Sequence, residues 1–343
     1  MILKTRILII YTGGTIGMAE DPDTGSLIPL DFEHLSAQIP ELKKFDIDLQ
    51  VISFEKPIDS SDMQPETWVK LAELIYEHYS EVDGFVILHG TDTMAYSASA
   101  LSFMLENIAK PVIFTGSQLP IGMLRTDGKE NLVTSIEIAA AKENGKPIVT
   151  EVAIYFEFRL MRANRTRKYN TEHFDAFQSP NYPALAEAGI TIQYNDSKLL
   201  RPKNDVLKLH KHLDPSVFIL KLFPGISIAM IRQVLAFEGL KAVVLETFGA
   251  GNAMTTPEFI SILEEAIGKG IIILNITQCY GGSVMQGRYE TSRDLLRIGV
   301  TSGHDITTES AVTKLMLLLG KGLGGSALKK ALEQDMAGEL SIH

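Results

Sequence analysis

Short apolar runs recur along this chain, and the two clearest stop at glycine or short polar residues. Ile7-Leu8-Ile9-Ile10-Tyr11 stops at Thr12-Gly13-Gly14, and Phe85-Val86-Ile87-Leu88 stops at His89-Gly90-Thr91. Such runs predict buried strands. By this criterion strands fall at Arg6–Tyr11, Leu49–Phe54, Gly84–His89, Pro111–Gly116, Ile148–Phe156 and Ile190–Gln193, then at Val217–Phe223, Lys241–Phe248, Gly270–Thr277 and Arg297–Thr301. Between them, apolar residues at helical spacing predict helices over Pro65–Tyr79, Met94–Ala109, Asp127–Asn144, Gly225–Gly239, Pro257–Gly268 and Thr307–Gly320. Pro65 and Pro257 suit first helical turns. The alternation predicts parallel strands joined by crossover helices, an α/β protein.

The pattern weakens once. Asn195–Pro215 is polar and carries Lys203-Asn204-Asp205 and His210-Lys211-His212. It is the expected linker (195–215) between a larger N-terminal α/β domain (1–194) and a smaller C-terminal one (216–343). A chain of 343 residues gives each enough length for its own core.

Composition narrows the partners. The net charge is −10, from 42 acids and 32 bases. That disfavours nucleic acid or an anionic membrane. A single cysteine, Cys279, excludes an internal disulfide and fits a reducing compartment. The apolar run after Lys4 and Arg6 is shorter than the roughly 7–15 residues of a signal-peptide core. No run approaches the roughly 18 apolar residues of a membrane helix. The expected location is cytoplasmic.

The candidate chemistry lies at strand ends, where α/β proteins place ligands. Thr12-Gly13-Gly14-Thr15-Ile16-Gly17 follows one strand, and His89-Gly90-Thr91-Asp92-Thr93-Met94 follows another. Two strand-end threonines, one beside an acid, point to hydroxyl nucleophilic chemistry. Rival readings exist for each turn. The first lacks the lysine of a P-loop, and Thr12 stands where a dinucleotide fingerprint needs glycine. In the second, Asp92 or Thr93 is a candidate helix cap, and its backbone N–H groups are candidate anion or oxyanion donors. His89 reads as a hydrogen-bonded structural histidine rather than a base. Asp59-Ser60-Ser61-Asp62 reads as a turn that can also clasp an amino-acid head group, acids to the ammonium and hydroxyls to the carboxylate. The basic stretch Arg162–Lys168 reads as a solvated face. Within it, Lys168 matters to a threonine nucleophile only where the fold sets it beside Thr91 and Asp92. His210 and His212 lack a third ligand cluster, so no metal is expected. Cys279 reads as a buried thiol or loop residue.

Together these segments resemble the bacterial-type L-asparaginases, in particular the cytosolic type I branch. The matching residues are Tyr11–Met18, Asp59–Met63, Gly84–Tyr96, Pro111–Gln118, Asn164–Lys168 and Phe174–Phe177. Gly249–Ala253 and Thr277–Cys279 match more weakly. The resemblance implies a mixed, mostly parallel sheet in the larger domain and a Rossmann-like or flavodoxin-like smaller one. It implies hydrolysis of L-asparagine to L-aspartate and ammonia without metal or organic cofactor. Thr15 would be the nucleophile, Thr91 the second essential threonine, and Lys168 and Asp92 its proton-handling partners. Asp59, Ser60, Ser61, Thr91 and Asp92 would bind substrate. Self-association as a dimer or dimer of dimers is implied, with Asn252 reaching a neighbour's site.

The sequence departs from that family twice. Leu27 stands where the family usually has a tyrosine assisting the nucleophile. Glu246 stands where allosteric type I enzymes carry an arginine, so activation by asparagine is expected to be absent or differently built. Four rival functions remain: a nucleotide-binding protein, a silent amino-acid sensor on the same fold, a glutaminase-type amidohydrolase, and the related tRNA-dependent amidotransferase subunit. The last carries an extra domain before its first threonine motif, which here begins at Thr12. Retention of both threonines, Asp92 and Lys168 argues against the sensor.

Overall fold

The computed structural model describes residues 4–20, 27–29, 39–204, 206–288 and 290–341. The chain divides into two compact units, Met1–His210 and Lys211–His343.

The first unit is built on one eight-stranded sheet: β1 (Thr5–Tyr11), β2 (Ile47–Ser53), β3 (Gly84–Leu88), β4 (Val112–Thr115), β5 (Val152–Phe156), β6 (Arg159–Arg162), β7 (Ala186–Ala188) and β8 (Ile192–Tyr194). Their spatial order is β8-β7-β6-β5-β4-β3-β1-β2. The five from β2 to β5 run parallel, and β6, β7 and β8 continue antiparallel. Helices α1 (Pro65–Glu77), α2 (Met94–Met104) and α3 (Gly128–Ala140) complete this unit's main elements. Leu132, Ile136 and Ala139 of α3 share one core with Ile7, Ile9, Val86, Leu88 and Ile113 of the sheet. Each such leucine, isoleucine or valine contributes about 1.5–3 kcal/mol by leaving water, which explains the unbroken apolar runs.

Strand order matters more for function. β1 leads to β2 on one side, and β3 lies on its other side. The connections therefore leave in opposite directions and open a crevice beyond the carboxyl ends of β1 and β3. The turns Thr12–Gly17 and His89–Thr93 follow those two ends.

The second unit carries β9 (Val217–Lys221), β10 (Ala242–Thr247), β11 (Ile272–Thr277) and β12 (Thr301–Ser302), parallel and in sequential order. Its helices are α4 (Ile228–Leu235), α5 (Pro257–Gly268), α6 (Glu290–Arg297), α7 (Thr308–Gly320) and α8 (Gly325–Leu332). Ile231, Leu235, Phe259, Leu263 and Leu295 pack with Leu220, Val243, Leu245 and Ile273. Lys314 of α7 is fully buried; it pairs with buried Glu339 at 2.6 Å and donates to the carbonyls of Leu332 and Gln334. The mostly parallel larger sheet and the smaller parallel one are the architecture expected.

Local boundaries differ from expectation where a backbone device overrides the apolar pattern. The strand expected over Ile148–Phe156 begins at Val152 and reverses at Glu157-Phe158, both with positive φ (44° and 68°). No glycine or asparagine marks that turn, so β6 was unannounced. The strand expected at Arg297–Thr301 is instead the end of α6, a turn, and the two residues of β12. Helix α2 stops at Met104, because Leu105–Glu106 pairs antiparallel with Lys208–Leu209. That pairing lies inside the segment expected as linker, and the division into units falls within it, after His210. Among the described residues, no helix is long and apolar enough to cross a membrane.

Candidate active site

The site begins with two glycines that allow backbones to touch. Gly13 has φ +135°, and a Cβ there would lie 2.2 Å from the Ile58 carbonyl oxygen. Gly14 has φ +87°, and its Cβ would lie 2.4 Å from the Gly90 nitrogen. Any other residue would hold the turn after β1 away from both neighbours. A Cβ on Gly90 would in turn sit 2.5 Å from Ser60 Oγ. Three segments thus meet at the crevice: Thr12–Gly17, Ile58–Asp62 and His89–Thr93. Further bonds lock them. Thr12 donates through its N and its Oγ1 to the Leu88 carbonyl, both at 3.0 Å, and Ile58 N donates to the Thr12 carbonyl at 2.8 Å. Thr93 Oγ1 donates to the Ser60 carbonyl at 2.6 Å.

Thr15 opens a single 3-10 turn, Thr15–Gly17, and is half-buried. Its hydroxyl makes no hydrogen bond to another described residue. The Tyr11 ring underlies this turn, packed so closely that a Cβ on Gly17 would strike it. Burial pushes the Tyr11 phenol up to about 12, so it stays protonated.

Thr91 is half-buried and connected on two sides. Lys168 Nζ donates to Thr91 Oγ1 at 2.8 Å and to Asp92 Oδ1 at 2.7 Å. Thr91 Oγ1 donates to Gln118 Oε1 at 3.3 Å. Lys168 sits in a short antiparallel pair, Arg167–Lys168 with Phe177–Gln178. Its side chain is 15% exposed, against 64% for Asp92.

Asp59 caps the 3-10 turn Ser60–Asp62, and its Oδ1 accepts from Ser61 N and Ser61 Oγ, both at 2.9 Å. These bonds, the backbone one foremost, hold the Asp59 carboxyl below its ordinary range, so it is ionised. Ser60 is buried against Gly90, while Asp59 and Ser61 are exposed.

The geometry therefore brings Thr15, Asp59, Ser60, Ser61, Thr91, Asp92 and Lys168 together within the first unit. Asn252 belongs to the second unit, where its backbone exchanges two bonds with Phe248. Gly25 and Ser26 lie outside the described residues, and Leu27 is described only as backbone of Leu27–Pro29, paired with Met18–Glu20.

The structure departs from two expectations. Thr93 is the N-cap residue of α2, but neither its side chain nor that of Asp92 caps the helix. Thr93 is spent on Ser60, and Asp92 on Lys168. The basic stretch is not a solvated face: Arg162, Asn164, Arg165 and Thr166 are all buried. Arg162 pairs with buried Glu151 at 2.7 Å, and its guanidinium, like that of Arg165, stacks on the Tyr182 ring. Buried partners elsewhere in the sequence, invisible to a local charge count, make the stretch a scaffold for Lys168. Cys279 is an exposed loop residue, the second of its two expected places. Gln118 was not singled out at all; its one local signal is its place just beyond the end of β4.

His89 is fully buried, with Nδ1 2.7 Å from the Gly90 carbonyl. Burial outweighs that bond and pushes the imidazole down to about 4, so it is neutral near pH 7.

This is an α/β arrangement with a hydroxyl nucleophile candidate at a strand-order switch. Comparison with known families gives it a place. Residues 6–200 match the family described as Asparaginase, N-terminal, and residues 216–332 match the Glutaminase/Asparaginase C-terminal domain. The chain belongs to the asparaginase family. It is 43% identical to L-asparaginase 1 of Escherichia coli (strain K12) over 342 residues, which is 98% of each chain. Among solved structures it is similar to L-asparaginase I of Vibrio cholerae, with a TM-score of 0.89, 40% identity, and coverage of 99% of this chain and 100% of that one. The thermostable L-asparaginase of Thermococcus kodakarensis is equally similar in fold, with a TM-score of 0.89 at 31% identity and the same coverage.

Proposed function

We propose that this protein hydrolyses the side-chain amide of L-asparagine to L-aspartate and ammonia through a covalent ester on Thr15. The observation that carries this reading is Lys168 Nζ between Thr91 Oγ1 and Asp92 Oδ1, at 2.8 and 2.7 Å, beside the turn whose Gly14, next to Thr15, packs against Gly90.

Substrate enters the crevice between the ends of β1 and β3. The ionised Asp59, together with Asp92, meets the α-ammonium, and the Ser60–Ser61 turn meets the α-carboxylate. With both ends of the head group fixed, the carboxamide carbon faces Thr15. Thr15 Oγ1 attacks it, the C–N bond breaks, and the hydroxyl proton ends on the departing nitrogen, leaving aspartyl-Thr15 and ammonia. Backbone N–H groups of the two threonine turns stabilise the tetrahedral oxyanion. Water then cleaves the ester and returns the proton to Thr15. Thr91 and Lys168 handle protons in both steps, with Asp92 orienting Lys168. No metal or organic cofactor enters the scheme. The protein acts as a homodimer or a dimer of dimers in the cytoplasm, with Asn252 reaching the site of a neighbouring subunit.

The test is steady-state ammonia release from asparagine and from glutamine. Wild type turns over asparagine, and Thr15→Ala and Thr91→Val each lose about 10³-fold or more in kcat. A protein that binds asparagine without releasing ammonia is a sensor, and one that prefers glutamine is a glutaminase. Full turnover in both variants overturns the site assignment.

A further inference from the structure

We infer that Gln118 is a positioning residue that sets the hydroxyl rotor of Thr91 and clamps the hairpin carrying Lys168. This inference rests on the reading of Thr91 and Lys168 given above.

The amide orientation of Gln118 follows from its neighbours. Nε2 donates to the carbonyls of Thr171 at 3.0 Å and His173 at 3.1 Å. A flipped amide would set its oxygen against two carbonyl oxygens and satisfy neither. Oε1 is therefore the atom facing Thr91 Oγ1. An amide oxygen carries no hydrogen, so the Thr91 hydroxyl donates to it. That choice leaves a Thr91 lone pair for the Lys168 ammonium, which donates from 2.8 Å. Gln118 thus holds the Thr91 proton on the side away from Lys168. At 3.3 Å the bond is long for O–H···O, where about 2.7–2.8 Å is typical, so the proton is held loosely.

The same amide bridges two elements. Thr171 and His173 lie in the loop joining Arg167–Lys168 to Phe177–Gln178. Asn170 Oδ1 shapes that loop by accepting from Glu172 N and His173 N at 2.8 and 2.9 Å. On the other side, the Asp127 carboxylate holds the backbone of Gln118 by accepting from its N–H, at 2.9 Å to Oδ2, and from Leu119 N at 3.2 Å. One side chain therefore fixes both members of the Lys168–Thr91 pair relative to the β4 strand end. Gln118 has no contact with the reacting atoms in this scheme; it acts through Thr91 and Lys168.

Two substitutions and two readouts test this. Gln118→Met removes both donors and the acceptor at similar volume. It is expected to lower kcat for asparagine about 10–100-fold, with KM within about threefold of wild type and the melting temperature within a few degrees. Gln118→Glu turns an ionised carboxylate toward two carbonyls at pH 7. On acidification its carboxyl gains one O–H, so its kcat relative to wild type rises as pH falls from 7 to 5, a profile that a merely structural role does not produce. Hydrogen exchange without substrate is the readout independent of activity: the backbone of residues 169–176 exchanges faster in Gln118→Met than in wild type. The inference is overturned if Gln118→Met keeps kcat within twofold, if its loss lies in KM or in melting temperature, or if exchange of the 169–176 loop is unchanged. Wild-type protein that releases no ammonia fails the proposed function instead, and the exchange measurement still decides the clamp.

Discussion

Both units end neighbouring parallel strands in turns rich in threonine and glycine, yet the candidate site lies in the first. In the first unit the turns follow β1 and β3; in the second, Thr247 and Thr277 close β10 and β11, ahead of Gly249-Ala250-Gly251-Asn252 and Gly281-Gly282. Two differences separate them. The first sheet reverses its strand order between β1 and β3, which opens a crevice, whereas β9 to β12 run in sequence. The hydroxyls are also spent differently. Thr247 Oγ1 donates to Asn275 Oδ1 at 2.7 Å, and Thr277 Oγ1 donates to the Gly249 carbonyl at 2.6 Å while accepting from Cys279 N. Thr15 keeps its hydroxyl unspent among the described residues, and Thr91 accepts from Lys168 and donates to Gln118. The glutamines repeat the contrast. Gln278 Nε2 bridges the carbonyls of Leu222 and Glu246, tying strand ends together, while Gln118 uses the same donor pattern and spends its oxygen on Thr91. A threonine beside glycines at a strand end is therefore not enough. Function needs a strand-order switch and a hydroxyl that folding leaves available.

The sharpest way to break this contrast is to delete the hydroxyls in each unit. Thr15→Ala and Thr91→Val are expected to lose about 10³-fold or more in ammonia release while unfolding near wild type. Thr247→Val and Thr277→Val are expected to keep kcat within about threefold and to lose about 1–3 kcal/mol of stability, as buried partners are left unpaired. Folded unit-two variants with turnover as low as Thr15→Ala would dissolve the distinction.

The next test concerns space. Gly14→Ala forces a Cβ to within 2.4 Å of the Gly90 nitrogen at φ +87°, so either the turn or the His89–Thr93 segment must move. The expected result is near-complete loss of activity and about 3 kcal/mol or more of destabilisation. Gly249 also has positive φ (+48°), but a Cβ there meets nothing nearer than Asn252 Nδ2 at 3.9 Å. Gly249→Ala should cost only the left-handed backbone term, about 1–2 kcal/mol. Chemical denaturation together with activity on the same samples separates the two.

Much of this contrast could be read in the residues, and the unread parts have physical causes. Fully buried strands write themselves as apolar runs, so β1, β3, β10 and β11 were found close to their true bounds. β6, which returns from a glycine-free turn, and the two-residue β12 carry too little local pattern to be seen. Thr15, Thr91 and Asp92 announce themselves because they stand at strand ends. Lys168 lies 77 residues from Thr91, and only the resemblance tied it to the site. The surrounding arginines hid it, since a charge run looks solvated until Glu151 and Tyr182 are folded against it. Gln118 and Asp127 were missed because their roles are hydrogen bonds to backbone groups distant in sequence.

Acidification sharpens the comparison at a smaller scale. His89 is pushed down to about 4 from 6.5, chiefly by burial. The folded state binds fewer protons than the unfolded chain between those values, so this contribution is intact above about pH 6.5 and is lost progressively as pH falls towards 4, about 3 kcal/mol in all. In the second unit burial opposes ionisation of Glu339, but the Lys314 ammonium at 2.6 Å outweighs it and holds the carboxyl below its ordinary range. That pair stabilises above the ordinary glutamate range and weakens only below it. The first unit is thus expected to soften earlier on acidification. Hydrogen exchange at pH 7, 5.5 and 4.5 should show β3 losing protection before α7, and His89→Gln should flatten the β3 trend. Loss in the opposite order would remove the argument.

The smallest expected effect is at Glu246. Its carboxylate is buried at the end of β10, where it accepts from Thr308 Oγ1 at 2.6 Å and faces Lys221 at 3.6 Å. A negative group already engaged in the fold repels, rather than recruits, the carboxylate of an amino-acid effector. The rate curve with asparagine is therefore expected to be hyperbolic, and Glu246→Ala should leave its shape unchanged while lowering stability by about 1–3 kcal/mol through the unpaired Thr308. A sigmoidal curve that Glu246→Ala abolishes would show that the second unit senses substrate after all. The division of labour would then lie between a unit that reacts and a unit that regulates, rather than between a unit with spare hydroxyls and one without.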